Sequence, residues 1–500
     1  MDDWIAPDPV ALHALGRPEK RALADLASGR EWTYGALDRA IDKASAALAE
    51  LGLAPGERLA VLARNSADLV IAQQAAMRMG AIFTPLNWRL APAELAPILA
   101  DCAPKLLLGD GTVSVEAPEG CRAVSLADFV AASEATAPVS RRPERKAGDP
   151  CVILYTSGTS GVSKGVILTP RTLFFTGVNF GVLGGVSHSS VFLCESPMFH
   201  VIGLVTSIWP PFLQGGTVLV SPGFDPAATN RRLADPALGI THYFCVPQMA
   251  EALRHAEDFR PDRWSLTALF TGGAPNPPAN IRWWIDQGVA MVDGFGMTEA
   301  GTILGMPLEP DLIATHAGGV GFAGPATAVR IVDLHDRDVP DGTAGEILVK
   351  GPNVTPGYWN RPEERARAFT EDGWLRTGDI ARRDADGYIA IVDRRKDMFI
   401  SGGENVYPVE IEAVLVEHPG VMEVAVIGVP DARWGEVGCA FVVPKPGAGL
   451  TEEELARHCE ARLARYKVPK VFRIEDQLPR TGTGKVQKHR LREAVLTPTD

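Results

Sequence analysis

Apolar positions in the first part of the chain follow two alternating patterns. Residues 36–51 place apolar side chains at helical spacing and stop at Gly52, whereas Arg58–Leu62 is a short apolar run typical of a buried strand. Ser66 precedes a second helical pattern that runs to Met79, and a serine in that position can cap a helix. Strands that alternate with helices predict a largely parallel, doubly wound sheet.

The alternation continues beyond this region with one interruption. Residues 109–149 are rich in Ala, Glu and Pro, and they predict a surface excursion before the next strand. We predict a helix at 92–100 and further strands at 81–83, 105–108, 151–154, 217–220, 243–246, 268–271 and 289–292.

The texture of the sequence changes after about residue 320. Short strands at 328–332, 345–350 and 387–392 indicate a small β-rich subdomain. Helices at 408–416 and 451–463, with strands at 424–429 and 439–443, predict a compact α+β unit, and Thr451 and Glu454 form a capping box. The whole chain is therefore predicted to be α/β, with an N-terminal domain of doubly wound sheets at 1–395 and a small C-terminal domain at 396–500.

The composition is that of a globular protein, with 46% hydrophobic and 22% charged residues among 500. This length suggests about two to four folding units. The start is acidic and the longest apolar stretches are broken by Gly, Ser and Pro, so we expect neither a signal peptide nor a membrane span. Seven scattered cysteines without metal-ligand spacing favour reduced thiols in the cytoplasm and argue against structural zinc.

The charge is negative overall and positive near the C-terminus. The chain has 49 Lys and Arg against 61 Asp and Glu, a balance that disfavours nonspecific nucleic-acid binding. Between residues 460 and 492, basic side chains predominate instead. Such a run is typical of a solvated face, and it would equally suit an anionic ligand that docks on this end.

Residues 154–165 carry the strongest indication of chemistry, because they read LYTSGTSGVSKG directly after an apolar strand. Glycines let the backbone approach an anion closely, hydroxyls donate hydrogen bonds, and Lys164 adds a positive charge. The loop is not a Walker motif, since Ser163 stands where that motif needs glycine. We therefore predict a phosphate-binding loop of another type.

Further polar segments lie at strand ends and in glycine turns. Thr298 and Glu299 follow a predicted strand, and a carboxylate beside a phosphate loop commonly holds Mg²⁺, although a capped turn explains this segment equally well. Asp379 is suited to ribose hydroxyls, and Lys485 lies in a glycine loop that would by itself be surface. His200 follows apolar residues, a setting in which a histidine is more often structural than catalytic.

Taken in order, these segments resemble the adenylate-forming superfamily, and in particular its acyl-CoA synthetase and aryl-CoA ligase branch. Nearly the whole chain takes part, through Trp32-Thr33-Tyr34, Asn87-Trp88-Arg89-Leu90, the phosphate loop, Pro197-Met198-Phe199-His200, Thr271-Gly272-Gly273-Ala274-Pro275, Gly296-Met297-Thr298-Glu299, Gly345-Glu346-Ile347, Gly357-Tyr358-Trp359, Arg376-Thr377-Gly378-Asp379, Asp393-Arg394-Arg395-Lys396-Asp397, Gly402-Gly403-Glu404-Asn405 and Gly484-Lys485. Three residues depart from the common pattern, namely Ser160, Ser163 and Phe295.

The resemblance implies an ATP-dependent ligase that works in two steps. A carboxylate attacks the α-phosphate of ATP and releases pyrophosphate, and the thiol of CoA then displaces AMP from the acyl-adenylate. Thr298 would contact the α-phosphate, Lys485 would bridge it to the carboxylate, and Glu299 with Thr156 would hold Mg²⁺. The departing phosphates would be held by Thr156, Ser157, Gly158, Thr159, Ser160, Gly161 and Lys164. The nucleoside would be held at adenine by Gly273, Ala274 and Pro275 and by a turn formed by Asp293, Gly294, Phe295 and Gly296. Asp379 and Arg394 would hold it at the ribose.

Similar enzymes rotate a mobile C-terminal domain between the two steps, about a hinge that matches Lys396. The second orientation would bring Gly402, Gly403 and Glu404 to the nucleotide and open a pantetheine tunnel. Residues expected to contact CoA are Trp434, Tyr466 and Lys470, and His200 would border the acyl tunnel.

The resemblance leaves the acid open. The predicted pocket at 199–201, 243–248, 271–273 and 295–302 is apolar and contains no Arg or Lys, which favours a hydrophobic monocarboxylate, either a fatty acid or an aromatic acid of the feruloyl, coumaroyl or benzoate type. The alternatives are a luciferase-like or other adenylating enzyme and a non-catalytic nucleotide-binding homologue. We expect a cytoplasmic monomer or homodimer without a nucleic-acid partner.

Overall fold

The protein is described by a computed structural model that covers residues 7–139, 142–156, 163–274, 276–394, 397–401, 404–431, 433–480 and 486–496. It divides into two compact units. The first comprises Met1–Val329 and Val349–Leu375, and the second comprises Arg330–Leu348 and Arg376–Asp500.

One sheet of the first unit carries the hairpin that encloses the predicted phosphate loop. Its strands run in the order Arg122–Ser125, Leu106–Gly109, Arg58–Leu62, Ile82–Pro85, Val152–Thr156 and Lys164–Leu168. All neighbouring strands are parallel except the last pair, which is antiparallel. The predicted strand Arg58–Leu62 is confirmed at both ends, because four of its five residues are buried as the apolar run requires.

A larger sheet in the same unit carries the second group of predicted site residues. Its strands run in the order Phe322–Ala323, Gly301–Gly305, Met291–Met297, Ala268–Gly272, His242–Cys245, Val191–Cys194, Thr217–Val220, Arg21–Asp25 and Glu31–Thr33. The strands from Met291–Met297 to Arg21–Asp25 are parallel, and the edges are antiparallel. The predicted fold class is confirmed by these two mostly parallel sheets.

Helices connect the strands of the first unit, as the alternating pattern predicts. The α-helices are Pro9–Gly16, Tyr34–Glu50, Ala67–Arg78, Pro92–Cys102, Leu126–Ala135, Pro170–Leu183, Trp209–Gln214, Pro226–Leu233, Pro247–His255, Pro278–Asp286, Pro310–Thr315 and Pro362–Ala368. A 3₁₀-helix spans Pro261–Arg263 and a π-helix spans Ile202–Thr206. Ser66 caps its helix as predicted, since its hydroxyl accepts a hydrogen bond from the Leu69 amide.

The surface excursion predicted at 109–149 is wrong in part. It contains the strand Arg122–Ser125, which pairs with Leu106–Gly109, and the helix Leu126–Ala135. Phe129 on that helix is buried in the main core. The strand escaped prediction because it is an exposed edge strand without the apolar run that marks its buried neighbours.

The second unit is smaller and richer in strands. One sheet, which lies for the most part in this unit, runs Ala328–Val332, Gly345–Lys350, Leu375–Arg383 and Ile389–Arg394. Another runs Glu404–Val406, Phe399–Ser401, Gly435–Pro444 and Val421–Asp431, with Val471–Ile474 beside Gly435–Pro444. The helices are Pro408–Val416, Glu452–Glu460 and Lys488–Leu496, and the capping box of Thr451 and Glu454 is confirmed. Lys396 lies outside the described residues, so the boundary at 395/396 stays a prediction.

None of the helices in the described part of the chain is both long and apolar enough to cross a membrane.

Candidate functional site

An antiparallel hairpin holds the two ends of the predicted phosphate loop. Thr156 closes the strand Val152–Thr156 and pairs directly with Lys164, the first residue of Lys164–Leu168. The hairpin therefore brings Thr156 and Lys164 together at the base of the loop. The other predicted phosphate ligands lie outside the described residues, namely Ser157, Gly158, Thr159, Ser160 and Gly161.

The Lys164 ammonium faces both an acid and an aromatic ring. Its Nζ forms an ion pair with the Glu364 carboxylate at Oε2, and lies 5.9 Å from the centroid of the Tyr358 ring. The other oxygen of Glu364 is 3.3 Å from Nη1 of Arg367. The hydrogen bond from Lys164 lowers the pKa of Glu364 below its ordinary value, and the charge of Lys164 and the nearby arginines adds to that effect.

Glu299 is joined to the same cluster through Tyr358. The Tyr358 hydroxyl donates a hydrogen bond of 3.2 Å to Oε1 of Glu299. Burial raises the pKa of Tyr358 well above its ordinary value, and the negative charge of Glu299 raises it further. The phenol is therefore a permanent donor to this carboxylate at physiological pH.

The backbone around Tyr358 fixes this arrangement. The Thr355 amide donates to the Glu299 carbonyl over 2.6 Å, and the Thr355 hydroxyl donates to the Ile167 carbonyl over 2.6 Å. The Trp359 amide donates to the Gly165 carbonyl over 2.7 Å. Residues 355–359 thus tie the segment at Glu299 to the hairpin. Tyr358 bonds Glu299 through its hydroxyl, and its ring lies near Lys164.

Sequence reasoning missed the parts that Tyr358 and Glu364 play in this cluster. Tyr358 belongs to the quoted Gly357-Tyr358-Trp359 motif, but no spacing rule connects it with Glu299 or Lys164. Glu364 follows in the first turn of the helix Pro362–Ala368. The ion pair between Glu364 and Lys164 could not be predicted without the fold, because the two residues are 200 positions apart in the chain.

The second group of site residues lies along two parallel strands. Thr271 pairs with Asp293 and Gly272 pairs with Gly294. The prediction of a turn at Asp293 to Gly296 is wrong, because Asp293, Gly294, Phe295 and Gly296 lie within the strand Met291–Met297, which also pairs with Gly301–Gly305. Thr298 and Glu299 follow the end of this strand, as predicted.

Glycine at this edge permits a close approach between backbones. A Cβ added to Gly296 would lie 2.3 Å from the Gly301 carbonyl oxygen, so a side chain would force the strands apart. On the neighbouring strand end, Gly273 has φ of +77°, a conformation that favours glycine. Ala274 follows it, and Pro275 lies outside the described residues.

Asp293 is a buried acid without a cationic partner among the hydrogen bonds and ion pairs described. It is 5% exposed, and the Thr271 hydroxyl donates to its Oδ1 over 2.9 Å. Burial raises the pKa of Asp293 to about 7, despite the hydrogen bonds from Thr271 and the Gly294 amide. The Asn276 amide in turn donates to the Thr271 hydroxyl over 3.1 Å, so the acid belongs to a buried polar chain.

The segment that contains His200 lies in aromatic surroundings. The rings of Phe199 and His200 are 4.6 Å apart, and Trp88 meets Phe199 edge-on at 6.3 Å. Asn65 holds the turn, since its Nδ2 donates to the Ser196 carbonyl and its Oδ1 accepts from the Met198 amide.

The π-helix Ile202–Thr206 begins just after Val201 and approaches the end of the strand Ala268–Gly272. A Cβ added to Gly273 would lie 3.7 Å from Cδ1 of Ile202. An apolar side chain of this segment thus lies near the end of the strand Ala268–Gly272. The Arg89 guanidinium lies 5.9 Å from the Phe199 ring centroid. Arg89 was not part of the predicted pocket lining.

The remaining predicted residues belong to the second unit. Asp379 is buried and pairs with Arg394 on the neighbouring strand, so the two expected ribose ligands are register partners. Glu404 pairs with Ser401, and Trp434, Tyr466 and Lys470 are exposed. Lys396, Gly402, Gly403 and Lys485 lie outside the described residues, so their roles stay predictions.

His, Cys, Asp and Glu are the side chains that most often bind metal ions in proteins. Over the described ranges, no group of three or more such residues could hold a metal ion.

Family models match both parts of the chain. The AMP-binding enzyme model matches residues 10–359, and the AMP-binding enzyme C-terminal domain matches residues 410–485.

Curated relatives and solved structures match over nearly full length. A feruloyl-CoA synthase from Amycolatopsis sp is 39% identical over 95% of this chain and 96% of its own length. An indoleacetate–CoA ligase from Aromatoleum aromaticum is 37% identical over 100% of this chain and 99% of its own. The crystal structure of ATP-bound MatB from Rhodopseudomonas palustris has a TM-score of 0.88 at 30% identity, covering 97% of this chain and 98% of that one.

These matches confirm the resemblance on which the predicted site residues rest. The chain belongs to the AMP-binding enzyme family and is an AMP-forming acid–CoA ligase.

Proposed function

We propose that this ligase activates a hydrophobic aromatic monocarboxylic acid. One carboxylate oxygen of the acid attacks the α-phosphorus of ATP, the bond to the β-phosphate oxygen breaks, and pyrophosphate leaves. The CoA thiolate then attacks the carbonyl carbon of the acyl-adenylate and expels AMP, which keeps the bridging oxygen. Most of the rate should come from positioning and from fixed charges at the phosphates.

The observation that carries this proposal is that an apolar segment, residues 199–202, approaches the end of the strand Ala268–Gly272. Phe199 and His200 precede the π-helix, and Ile202 approaches Gly273. An acid held against these side chains would present its carboxylate beside the strand end, where the α-phosphate is expected. Apolar walls with few polar groups are typical of sites for small hydrophobic ligands.

Roles for the phosphate side follow from the hairpin. Thr156 and Lys164 would hold the leaving phosphates with the loop between them, and Thr298 would contact the α-phosphate. Thr156 and Glu299 supply the hard oxygen donors that Mg²⁺ takes alongside substrate phosphates, so these residues fit that ion. Mg²⁺ would neutralise phosphate charge when bound.

The second unit would supply the remaining groups. Asp379 and Arg394 would bind the ribose, and Lys485 would act at the α-phosphate during adenylation. Trp434, Tyr466 and Lys470 would contact CoA after rotation about Lys396. Their exposure leaves these three side chains accessible to a ligand. We further propose a cytoplasmic location.

The preference for an aromatic acid over a fatty acid is supported by two relatives, which are named for feruloyl and indoleacetyl substrates. The Trp88 and Phe199 rings near His200 suit a flat aromatic body. A fatty acid is the second candidate. The Arg89 guanidinium lies beside Phe199, and a cation in that position would favour an acid with a second negative group. Malonate in the panel tests this.

A panel of acids tests the proposal. Purified full-length enzyme is given ATP, Mg²⁺ and CoA with ferulate, coumarate, benzoate, indoleacetate, octanoate, palmitate or malonate, and AMP is measured with and without CoA. We expect kcat/KM to be highest for an aromatic monocarboxylate. A preference for palmitate or octanoate would overturn the aromatic class, and a preference for malonate would overturn the monocarboxylate class.

A further inference from the structure

We propose that Glu364 is an internal counter-ion that competes with polyphosphate for the Lys164 ammonium and thereby weakens the binding of pyrophosphate. The inference rests on the proposed phosphate role of Lys164. Glu364 would act on ligand affinity and product release without contacting the substrate.

The ion pair is placed where a leaving phosphate would have to bind. Lys164 opens the strand after the phosphate loop, and its Nζ is bonded to Oε2 of Glu364. An ammonium bonded to a carboxylate has fewer donors left for a phosphate oxygen. Polyphosphate can therefore use Lys164 fully only if the contact with Glu364 opens.

The surroundings allow the contact to open. The side chains of Lys164 and Glu364 are 20% and 21% exposed, so water can solvate both groups when they separate. A fully buried pair would instead leave a costly unpaired charge.

Arg367 gives Glu364 a second partner. Its Nη1 is 3.3 Å from Oε1 of Glu364, one turn along the same helix, and its side chain is 75% exposed. When Lys164 turns to a phosphate, the carboxylate keeps this cation. Opening the Lys164–Glu364 contact should therefore require little free energy, as expected for a contact that opens on every turnover.

Glu299 and Glu364 have different partners in the cluster, because Tyr358 binds Glu299 and Lys164 binds Glu364. The Tyr358 hydroxyl is bonded to Glu299, while its ring lies beneath the Lys164 ammonium. Glu299 thus already has a neutral donor, and Glu364 is the acid that forms the ion pair with Lys164. Removing the charge of Glu364 should therefore act on Lys164 without disturbing the carboxylate assigned to Mg²⁺.

The size of the effect should be modest. Water and salt screen the Lys164–Glu364 pair in part, because 20% and 21% of the two side chains are exposed, so its contribution is small. A ligand that must displace such a pair loses affinity by the same small factor, and by linkage its departure is favoured by that factor. We expect a severalfold change in pyrophosphate affinity.

The test compares neighbouring acids on one helix. The dissociation constant of inorganic pyrophosphate is measured by calorimetry on the full chain, for wild type, Glu364→Gln and Glu363→Gln. We expect Glu364→Gln to bind pyrophosphate about 2–5-fold more tightly, in line with a screened pair. Glu363→Gln removes the same charge from an exposed neighbouring position and should match wild type. The gain from Glu364→Gln should shrink at 1 M salt.

Equal affinity in wild type and Glu364→Gln, or weaker binding in that variant, would overturn the proposal. Equal tightening in both variants would also overturn it, because it would indicate a general charge effect.

Lys164→Ala separates this proposal from the proposed function. If Lys164→Ala weakens pyrophosphate binding and Glu364→Gln does nothing, only the counter-ion is wrong. If Lys164→Ala leaves binding unchanged, the phosphate role of Lys164 fails as well. In the Lys164→Ala background, Glu364→Gln should have no further effect.

Discussion

The two sides of the proposed nucleotide site differ in charge and burial. At the hairpin, Lys164, Glu364 and Arg367 are charged and accessible to solvent, and each has a partner that it can exchange. At the strand edge, Thr271 and Asp293 are buried, and glycines bring neighbouring backbones into close contact. The ion pairs at the hairpin can rearrange, whereas close backbone packing at the strand edge limits which side chains fit there.

This difference suits the two parts of a nucleotide. The polyphosphate changes in charge and leaves during the reaction, so its binding groups must release it easily. The base keeps its form throughout, so a tightly packed edge can hold it without loss. Changes at the strand edge should therefore appear first in stability, and changes at the hairpin should appear in ligand affinity.

The largest effect is expected from Asp293→Asn, measured as urea unfolding at several pH values. Burial raises the pKa of Asp293 to about 7 in the folded protein, whereas an unfolded aspartate titrates near about 4. The contribution of Asp293 to stability is thus fully present below about pH 4 and is lost as the pH rises to about 7. Asn does not titrate, so the variant should gain stability over wild type across this window, by up to roughly 4 kcal/mol at pH 8.

Asp286→Asn provides the control for that series, because Asp286 is exposed at the end of a nearby helix. A stability difference between wild type and Asp293→Asn that stays constant from pH 5 to pH 8 would contradict the raised pKa of Asp293.

A smaller effect is expected from Gly296→Ala. The added Cβ would fall 2.3 Å from the Gly301 carbonyl oxygen, and a backbone atom cannot move aside as a flexible side chain can. We expect a loss of about 1–3 kcal/mol in unfolding free energy together with weaker AMP binding. Gly223→Ala adds the same methyl group where nothing lies within 4 Å, and it should leave both quantities unchanged. Equal losses in the two variants would refute the claim that the strand edge is shape-limited.

The smallest effect is expected from Tyr358→Phe. The change removes the hydrogen bond to Oε1 of Glu299 but keeps the ring beside Lys164. The loss of one such bond is worth about 1 kcal/mol, or about a fivefold rise in the KM for ATP, with the KM for CoA unchanged. A rise in both constants would point to a general structural defect instead.

The sequence predicted best those elements whose side chains are buried along their whole length. The strand Thr217–Val220 was predicted at both ends because all four residues are buried and apolar or β-branched. Arg122–Ser125 was missed because it is an exposed edge strand. The segment from Asp293 to Gly296 was predicted as a turn because glycine usually indicates one, and here the glycines instead permit close pairing with Gly301–Gly305.

The site was predicted to a similar degree. Motif order placed Lys164 and Glu299 on the phosphate side, and the fold brings both to Tyr358. The ion pair with Glu364 and the raised pKa of Asp293 could not be predicted. Both depend on contacts between residues far apart in the chain or on depth of burial, which local patterns do not encode.

The central claim is that a carboxylate oxygen of the acid attacks the α-phosphorus of ATP and that an acyl-adenylate forms. The most direct test uses an accepted acid labelled with ¹⁸O at both carboxylate oxygens, with mass spectrometry of the AMP and pyrophosphate formed. The account predicts one ¹⁸O transferred to each AMP and none to pyrophosphate, because the bridging oxygen stays with phosphorus when the thiol attacks carbon. Label in pyrophosphate, or AMP without label, would contradict it.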